Sequence, residues 1–465
     1  MNMMRIAMTL LLMGATALAQ PPANSPVPGD DEIRKILAQR VEAKQATGIV
    51  AGVIEPKGRR IVAYGTLAAG DKRALNGDTV FEIGSVTKVF TSLLLADMVQ
   101  RGEVALGDPV SKYLPGGKVE VPERGGKKIT LVDLATHTSG LPRMPNNFNP
   151  KDAANPYADY TVEQLYQFLS GYTLPRDIGA QYEYSNLGGG LLGHVLALRA
   201  GQSYEDLART RILKPLGMND TAVTLSAGMK ERLAAGHNEK LQPVANWDLP
   251  TLAGAGALRS TANDMLTFVG AFVGYKDSPL APAMKAMLET RRPAQGPMQT
   301  GLAWLVLPAP GGQQIVWHNG GTGGYRSFVG FDAQARVGVV VLANASTQLG
   351  VDDIGMHLLN PQMPLASPQP AKEHKEITID SKLLDRYTGR YQIVPTFVIA
   401  ITREGDRLFA QATNQPKLEL FAEGERDFFL KVTDAQVTFE VTGEGPAAAL
   451  VLHQLGRDQR AARVE

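Results

Sequence analysis

The sequence predicts an α+β fold: an antiparallel sheet flanked by helices with a helical lobe beside it, followed by a small antiparallel β-barrel. Three observations predict it. A helix and an apolar hairpin open the chain, and a helix that is apolar on almost every side follows them. Further on, the runs Gln313 to Asn319, Tyr325 to Phe331 and Val337 to Ala343 are separated by Gly-rich or polar turns, the pattern of an antiparallel meander. Beyond a Pro-rich stretch, short alternating segments recur at regular spacing, as the strands of a small barrel or sandwich do.

Taken in order, the chain begins with Arg5, an apolar run from Ile6 to Leu12 and Ala17-Leu18-Ala19 before Gln20. That layout is a secretory signal peptide over residues 1–19, too short for a comfortable membrane span, and it predicts a periplasmic or secreted protein without a stable membrane anchor. There is no cysteine, so no lipid-attachment site, disulfide or thiolate chemistry is available. After a polar lead-in, Ile33, Ile36, Leu37 and Val41 recur at helical spacing within Asp31 to Gln45. Gly48 to Ile54 and Arg60 to Tyr64 read as strands joined by Glu55-Pro56-Lys57-Gly58.

Next comes Phe81 to Phe90, which contains Ser85-Val86-Thr87-Lys88 and opens the apolar helix. Short helices follow from Ile129 to His137, begun by Thr130, and from Thr161 to Leu169, with a long Pro- and Asn-rich loop from Arg143 to Tyr160 between them. Tyr184-Ser185-Asn186 precedes a Gly-rich segment and a helix from Leu191 to Ala200, and Ser260 to Met265 has the look of a capped helix start. A strand from Gly301 to Val306 leads into the meander. Residues 30–360 therefore read as one domain, 361–375 as a Pro-rich linker, and 376–465 as the barrel-like domain.

Composition narrows the function. A hydrophobic share of 44%, a charged share of 20% and a net charge of +1 describe an ordinary globular protein with no bias toward nucleic acid. No His-Glu-x-x-His, carboxylate cluster with metal spacing, Walker loop or dinucleotide fingerprint occurs, so neither metal nor cofactor is expected. What remains is Ser-x-x-Lys. Its side chains lie on one helical face, and a lysine becomes a base for a serine only if burial or a neighbouring cation lowers its pKa. A serine opening a helix is ordinarily a cap, so partners decide. Tyr184-Ser185-Asn186 is the only Tyr-x-Asn among 13 tyrosines, and His318-Asn319-Gly320 the only His-x-Gly among seven histidines. The phenol can relay a proton, the amide of Asn186 can meet a substrate carbonyl, and glycines at a strand end let a backbone N–H approach. His137 competes as a triad base, but no Gly-x-Ser-x-Gly elbow supplies its serine; His194, among apolar residues, reads as packed.

These three motifs, in this order, resemble those of the serine penicillin-recognising enzymes: class C β-lactamases, D-Ala-D-Ala carboxypeptidases, D-aminopeptidases and related esterases. Leu134 to Pro142, Pro215 to Met218 and Gly256 to Met265 are similar to that family's signatures, and the similarity covers about residues 30 to 350. The C-terminal segment resembles lipocalin-like appendages of such hydrolases. The resemblance implies a β-lactamase/transpeptidase-like domain and acyl transfer from a small-molecule or peptide substrate (a β-lactam, D-amino-acid peptide or short ester) to a serine and then to water. Ser85 is the implied nucleophile, with Lys88 and Tyr184 sharing the base role. Asn186, His318, Asn319, Gly320 and Gly321 are the implied substrate-binding residues, the N–H groups of Ser85 and Gly321 holding the oxyanion. The alternatives are a non-catalytic penicillin-binding or scaffold protein whose C-terminal β-domain holds a ligand or partner, and a carboxylesterase with no peptide or β-lactam role. One departure matters: β-lactamases of this type carry Lys-Thr-Gly where this chain has His318-Asn319-Gly320. A fixed positive charge is replaced by a histidine, for which Arg326 or Arg259 is the expected compensation.

Overall fold

The computed structural model describes residues 27–68, 70–367, 374–394, 397–413, 417–431, 435–454 and 457–464. The signal-peptide expectation over residues 1–19 lies outside the described residues, as does much of the expected linker.

An antiparallel sheet of eight strands forms the first domain's spine. Its order is Gly58–Gly65, Gly48–Glu55, Val337–Ala343, Arg326–Asp332, Gln314–Gly321, Leu305–Pro308, Gln299–Thr300, Arg292–Pro293. The opening hairpin thus pairs with the end of the late meander, Ile49 opposite Ala343 and Ile54 opposite Gly338. Both central strands are buried at every position, which explains why their sequences are nearly continuously apolar: both faces are covered. Period two then divides the side chains. Val50, Ile54, Val329, Phe331, Val340 and Leu342 face a core shared with the helices Thr87–Gln100 and Ala262–Phe272. Ile49, Ala51, Val53, Phe328, Val339 and Val341 face one shared with Asp30–Glu42 and Asp352–Leu359. Those two outer helices are joined by a buried ion pair between Arg40 and Asp353.

The helix Thr87–Gln100 is buried continuously from Thr87 to Met98, as its all-round apolarity requires. Against it packs Asn186–Ala200. That helix starts at Asn186, not Leu191, so the Gly-rich segment is helical. Its glycines make room: a Cβ at Gly189 would lie 2.9 Å from the Lys88 side chain, and one at Gly193 2.8 Å from the Gly254 backbone. The expected strand Gly301 to Val306 is instead split. Gly301 N–H donates to the Trp304 carbonyl in a tight turn (2.7 Å), which drops the Trp304 ring into the core 5.3 Å from Phe331.

The C-terminal strands close into an eight-stranded antiparallel barrel, Gly389–Val394 meeting Arg457–Arg463 across the seam. Neither seam strand stands out in the sequence, because each sends essentially one large or buried side chain inward, Tyr391 in the first and Ala461 in the last. Tyr387, Tyr391, Phe428 and Phe439 stack within the interior, with Tyr387 and Phe439 ring centroids 4.5 Å apart. Among the described residues these rings pack with Leu408, Leu420, Val437 and Leu450 into an apolar interior core.

Candidate active site

Ser85 lies in the single 3₁₀ turn Gly84–Val86 that feeds the helix Thr87–Gln100. The turn is pressed against the end of strand Gln314–Gly321. A Cβ at Gly84, whose φ is +49°, would lie 2.7 Å from the Gly321 nitrogen, and one at Gly320 would lie 2.0 Å from the Ile83 carbonyl oxygen. Only glycines allow this approach, which seats the Ser85 turn directly against the Gly321 peptide. Ser85 itself keeps partial solvent access.

Lys88, one turn on, is buried. Its Nζ lies 3.0 Å from Ser85 Oγ, 2.8 Å from Asn186 Oδ1 and 2.7 Å from the Ala255 carbonyl. Burial holds its pKa well below the ordinary lysine value, with the Arg143 charge pushing the same way. A neutral amine has two N–H donors and one lone pair. The carbonyl oxygens of Asn186 and Ala255 can only accept, so they take both donors, and the lone pair is left for the Ser85 hydroxyl proton.

Tyr184 stands on the other side of the nucleophile. Its phenol is hydrogen-bonded to Ser85, and Lys88 Nζ lies 4.8 Å from its ring centroid. Burial drives its pKa well up, outweighing the opposing pull of the Ser85 bond and of Arg143, so the group present at neutral pH is the phenol and not the phenolate. Asn186 opens the helix behind it, capped by Ser185 Oγ, which accepts from Gly188 N–H. The Asn186 amide orientation is fixed: Oδ1 on Lys88, Nδ2 toward the Tyr157 hydroxyl at 3.3 Å. Tyr157 begins an aromatic wall with Phe148 and Trp247, centroids 5.1 and 5.3 Å away.

Three sequence expectations change. Asn319 is turned away from the site, its Nδ2 donating to Asp352 on the helix Asp352–Leu359; alternation along the strand gives His318 and Gly320 one face and Asn319 the other. Arg259 does not compensate for the missing strand lysine, because it is buried with Glu82 and donates to the Trp247 and Val223 carbonyls. Arg326 donates to the carbonyls of Thr347, Thr322 and Tyr325, so it too is engaged in holding backbone. His318 is buried, and its pKa is pushed down to about 4 by burial and by Lys88. Its Nδ1 faces the Asn319 carbonyl at 2.6 Å. A carbonyl accepts, so Nδ1 carries the ring proton and Nε2 is left as an acceptor.

Two residues near the site were not read from the sequence as part of it. Arg143, exposed at the start of the long loop, holds its guanidinium carbon 5.2 Å from the Tyr184 ring centroid. His137, considered only as a triad base, packs its ring 4.6 Å from that of Tyr184. His194 is half-buried with its Nε2 2.8 Å from the Tyr166 hydroxyl, away from the nucleophile.

An antiparallel sheet backed by helices, with a Ser-x-x-Lys turn seated between that sheet and a helical lobe, defines a hydrolase of the β-lactamase and penicillin-binding type. Comparison with known proteins agrees. Residues 33–357 match the family model described as Beta-lactamase, and residues 373–464 match one described as a domain of unknown function, DUF3471. The chain is 28% identical over 429 residues to penicillin-binding protein 4* of Bacillus subtilis, covering 87% of this chain and 92% of that one. It is 32% identical over 344 residues to the D-alanyl-D-alanine-carboxypeptidase/endopeptidase AmpH of Escherichia coli, covering 70% and 87%. A crystal structure of a β-lactamase/D-alanine carboxypeptidase from Yersinia pestis superposes with a TM-score of 0.60 at 26% identity, covering 70% of this chain and 95% of that one. The chain belongs to the β-lactamase family.

Proposed function

We propose that this protein is an exported serine hydrolase that works through a Ser85 acyl-enzyme on an amide or ester bond. The observation that carries this reading is the Lys88 amine, buried, with two acceptor-only partners and its third contact on Ser85 Oγ. In the reaction, Lys88 takes the Ser85 proton as Oγ bonds to the substrate carbonyl carbon. The N–H groups of Ser85 and Gly321 hold the resulting oxyanion, a role in which one donor is typically worth ~10²–10³ in rate. On collapse the bond to the leaving nitrogen or oxygen breaks, and that atom takes a proton delivered through the Tyr184 phenol. Water then adds to the acyl carbon, giving up its proton to the same Lys88–Tyr184 pair, and Ser85 leaves with a proton restored. Asn186 and the Tyr157–Trp247 wall orient the substrate.

Neutral His318 in place of a strand lysine ranks short esters and D-amino-acid peptides ahead of β-lactams, because the strand offers an acceptor and no fixed cation. We assign residues 30–360 to the hydrolase domain, 361–375 to the linker, 376–465 to the barrel and 1–19 to the export signal. Labelling with a fluorophosphonate and turnover of nitrocefin, p-nitrophenyl esters and D-Ala-p-nitroanilide test the reading. Label and turnover are expected to vanish in Ser85→Ala. Persistence of either in that variant overturns the proposal.

A further inference from the structure

The segment from His137 to Arg143 wraps the Tyr184 motif from outside. Glu183 N–H donates to the His137 carbonyl (2.8 Å), Ser185 N–H to His137 Nδ1 (3.2 Å), Ser185 Oγ to the Pro142 carbonyl (2.6 Å), and the N–H groups of Asn186 and Leu187 to the Arg143 carbonyl (3.0 and 3.2 Å). The residues on both sides of Tyr184 are therefore tied to one residue, His137, by its backbone and its ring. To make both bonds His137 adopts φ +56°, a left-handed conformation that is uncommon for any residue but glycine and several-fold enriched in His, Asn and Asp among the rest.

The chemistry of that bond fixes the ring. A backbone N–H only donates, so His137 Nδ1 carries no proton and the single ring proton sits on Nε2. That Nε2 is buried and has no hydrogen-bond partner among the described residues. The ring lines a small cavity with Lys88 and Thr91 and stands 4.6 Å from the Tyr184 ring and 5.7 Å from that of Tyr182. The charged or titratable groups around it are Lys88 from the nucleophile helix, His318 from the strand, Arg143 from its own segment, and the two tyrosines. A second proton on the ring would break the Ser185 bond and set a cation among Lys88, His318 and Arg143.

We propose that His137 is a positioning residue of the acyl-transfer reaction: as a neutral, Nε2-protonated imidazole it fixes the backbone on both sides of Tyr184 and buttresses its ring, which holds the phenol in reach of Ser85. This rests on the acyl-enzyme reading, in which Tyr184 carries the leaving-group proton. Asparagine can supply an acceptor at the Nδ1 position and tolerates the left-handed conformation, so His137→Asn should restore much of what His137→Ala removes.

Steady-state hydrolysis of a p-nitrophenyl ester by both variants, with thermal melting alongside, provides the test. His137→Ala should lose tenfold or more in kcat with KM changed less than about threefold, and His137→Asn should recover most of it. An alanine variant within twofold of wild type, or an asparagine variant that falls as far as alanine, overturns the proposal. Nitrogen NMR of ¹⁵N-histidine-labelled wild-type protein reads the same claim without a substitution in the site. The His137 signal is expected to show an unprotonated Nδ1 and a protonated Nε2 at neutral pH; a proton on Nδ1 refutes it even if the alanine variant does not fold. Failure of the acyl-enzyme reading appears separately, as wild-type turnover that survives Ser85→Ala.

Discussion

Gly84→Ala tests whether the close approach of the nucleophile turn to the strand end is what assembles the oxyanion site. The added methyl would meet the Gly321 nitrogen at 2.7 Å, its oxygen at 2.8 Å and its carbonyl carbon at 3.0 Å. Ordinary contact begins near 3.4 Å, so the turn and the strand must part by about 0.7 Å, a displacement of the kind that costs ~10² in rate at a site held to sub-ångström geometry. The two N–H groups that would share the oxyanion sit on the two sides of this gap, and loss of one donor alone costs ~10²–10³. The expected fall in kcat/KM is therefore about 10²-fold, or ~2.7 kcal/mol of transition-state stabilisation. Alanine at a φ of +49° also costs the fold ~1–2 kcal/mol, and that must be separated from the wedge. Gly102→Ala supplies the control: its φ is +67°, and a Cβ there meets nothing within 4 Å. Both variants should melt earlier than wild type in a thermal scan, but only Gly84→Ala should lose p-nitrophenyl ester hydrolysis and fluorophosphonate labelling rate. If kcat/KM of Gly84→Ala lies within threefold of Gly102→Ala, the turn–strand contact does not build the site.

Lys88→Met keeps the bulk of the buried stem and removes the amine, so acylation of Ser85 should slow by ~10²–10⁴ in stopped labelling while the melting temperature changes little; an unchanged labelling rate would move the base elsewhere. His318, whose pKa is depressed to about 4, makes stability depend on acid. Its contribution is full above the unfolded value near 6.5 and is lost as pH falls toward 4, because there the unfolded chain takes a proton that the fold refuses; the full window is worth about 3 kcal/mol. Asp352, raised to about 6 by burial, acts in the opposite sense over an overlapping range, so urea unfolding of wild type against His318→Gln isolates the histidine, and parallel pH curves would contradict its burial as a neutral ring. In the barrel, Phe439→Ala removes the ring that touches Tyr387, Tyr391 and Phe428. It should cost ~3–5 kcal/mol of barrel stability, read by denaturant unfolding; a loss under ~1 kcal/mol would mean that the interior is not packed as described.

What could be read from the sequence was what short spacing encodes. Ser85 and Lys88 share a helical face by arithmetic, and Tyr184 and Asn186 sit at the entry of a helix that delivers both to the same point. The apolar runs 48–54 and 337–343 announced a sheet buried on both faces, although not that they would be neighbours. Asn319 was misplaced although the signal was present: a period of two already puts it opposite His318 and Gly320. Residues whose role depends on pairing across distant segments were not legible. Nothing in Thr136-His137-Thr138 indicates a left-handed histidine bonded to residues 183 and 185, and nothing in Pro142-Arg143-Met144 indicates a guanidinium over the Tyr184 ring. The Gly-rich segment around Gly189 was placed ahead of the helix, when it forms the helix's opening turns and Gly189 is the clearance for Lys88.

The histidine at position 318 is better understood through Lys88 than as a binding charge that was lost. Lys88 is a base only in its neutral form, and burial, with the Arg143 charge, pushes its pKa down toward that form. Burial above all drives both His318 and His137 toward their neutral forms, and whenever Lys88 carries a proton its charge pushes them the same way. With Tyr184 kept as the phenol, the groups around Ser85 are all driven toward their uncharged forms, and the exposed Arg143 places positive charge at the rim. In the acyl-transfer reading, a substrate entering such a site displaces less hydration from charged groups than one entering a site with a strand lysine. Those are the conditions in which preorganised dipoles count most, and under that reading they are how a chain without the strand lysine would still hold an oxyanion.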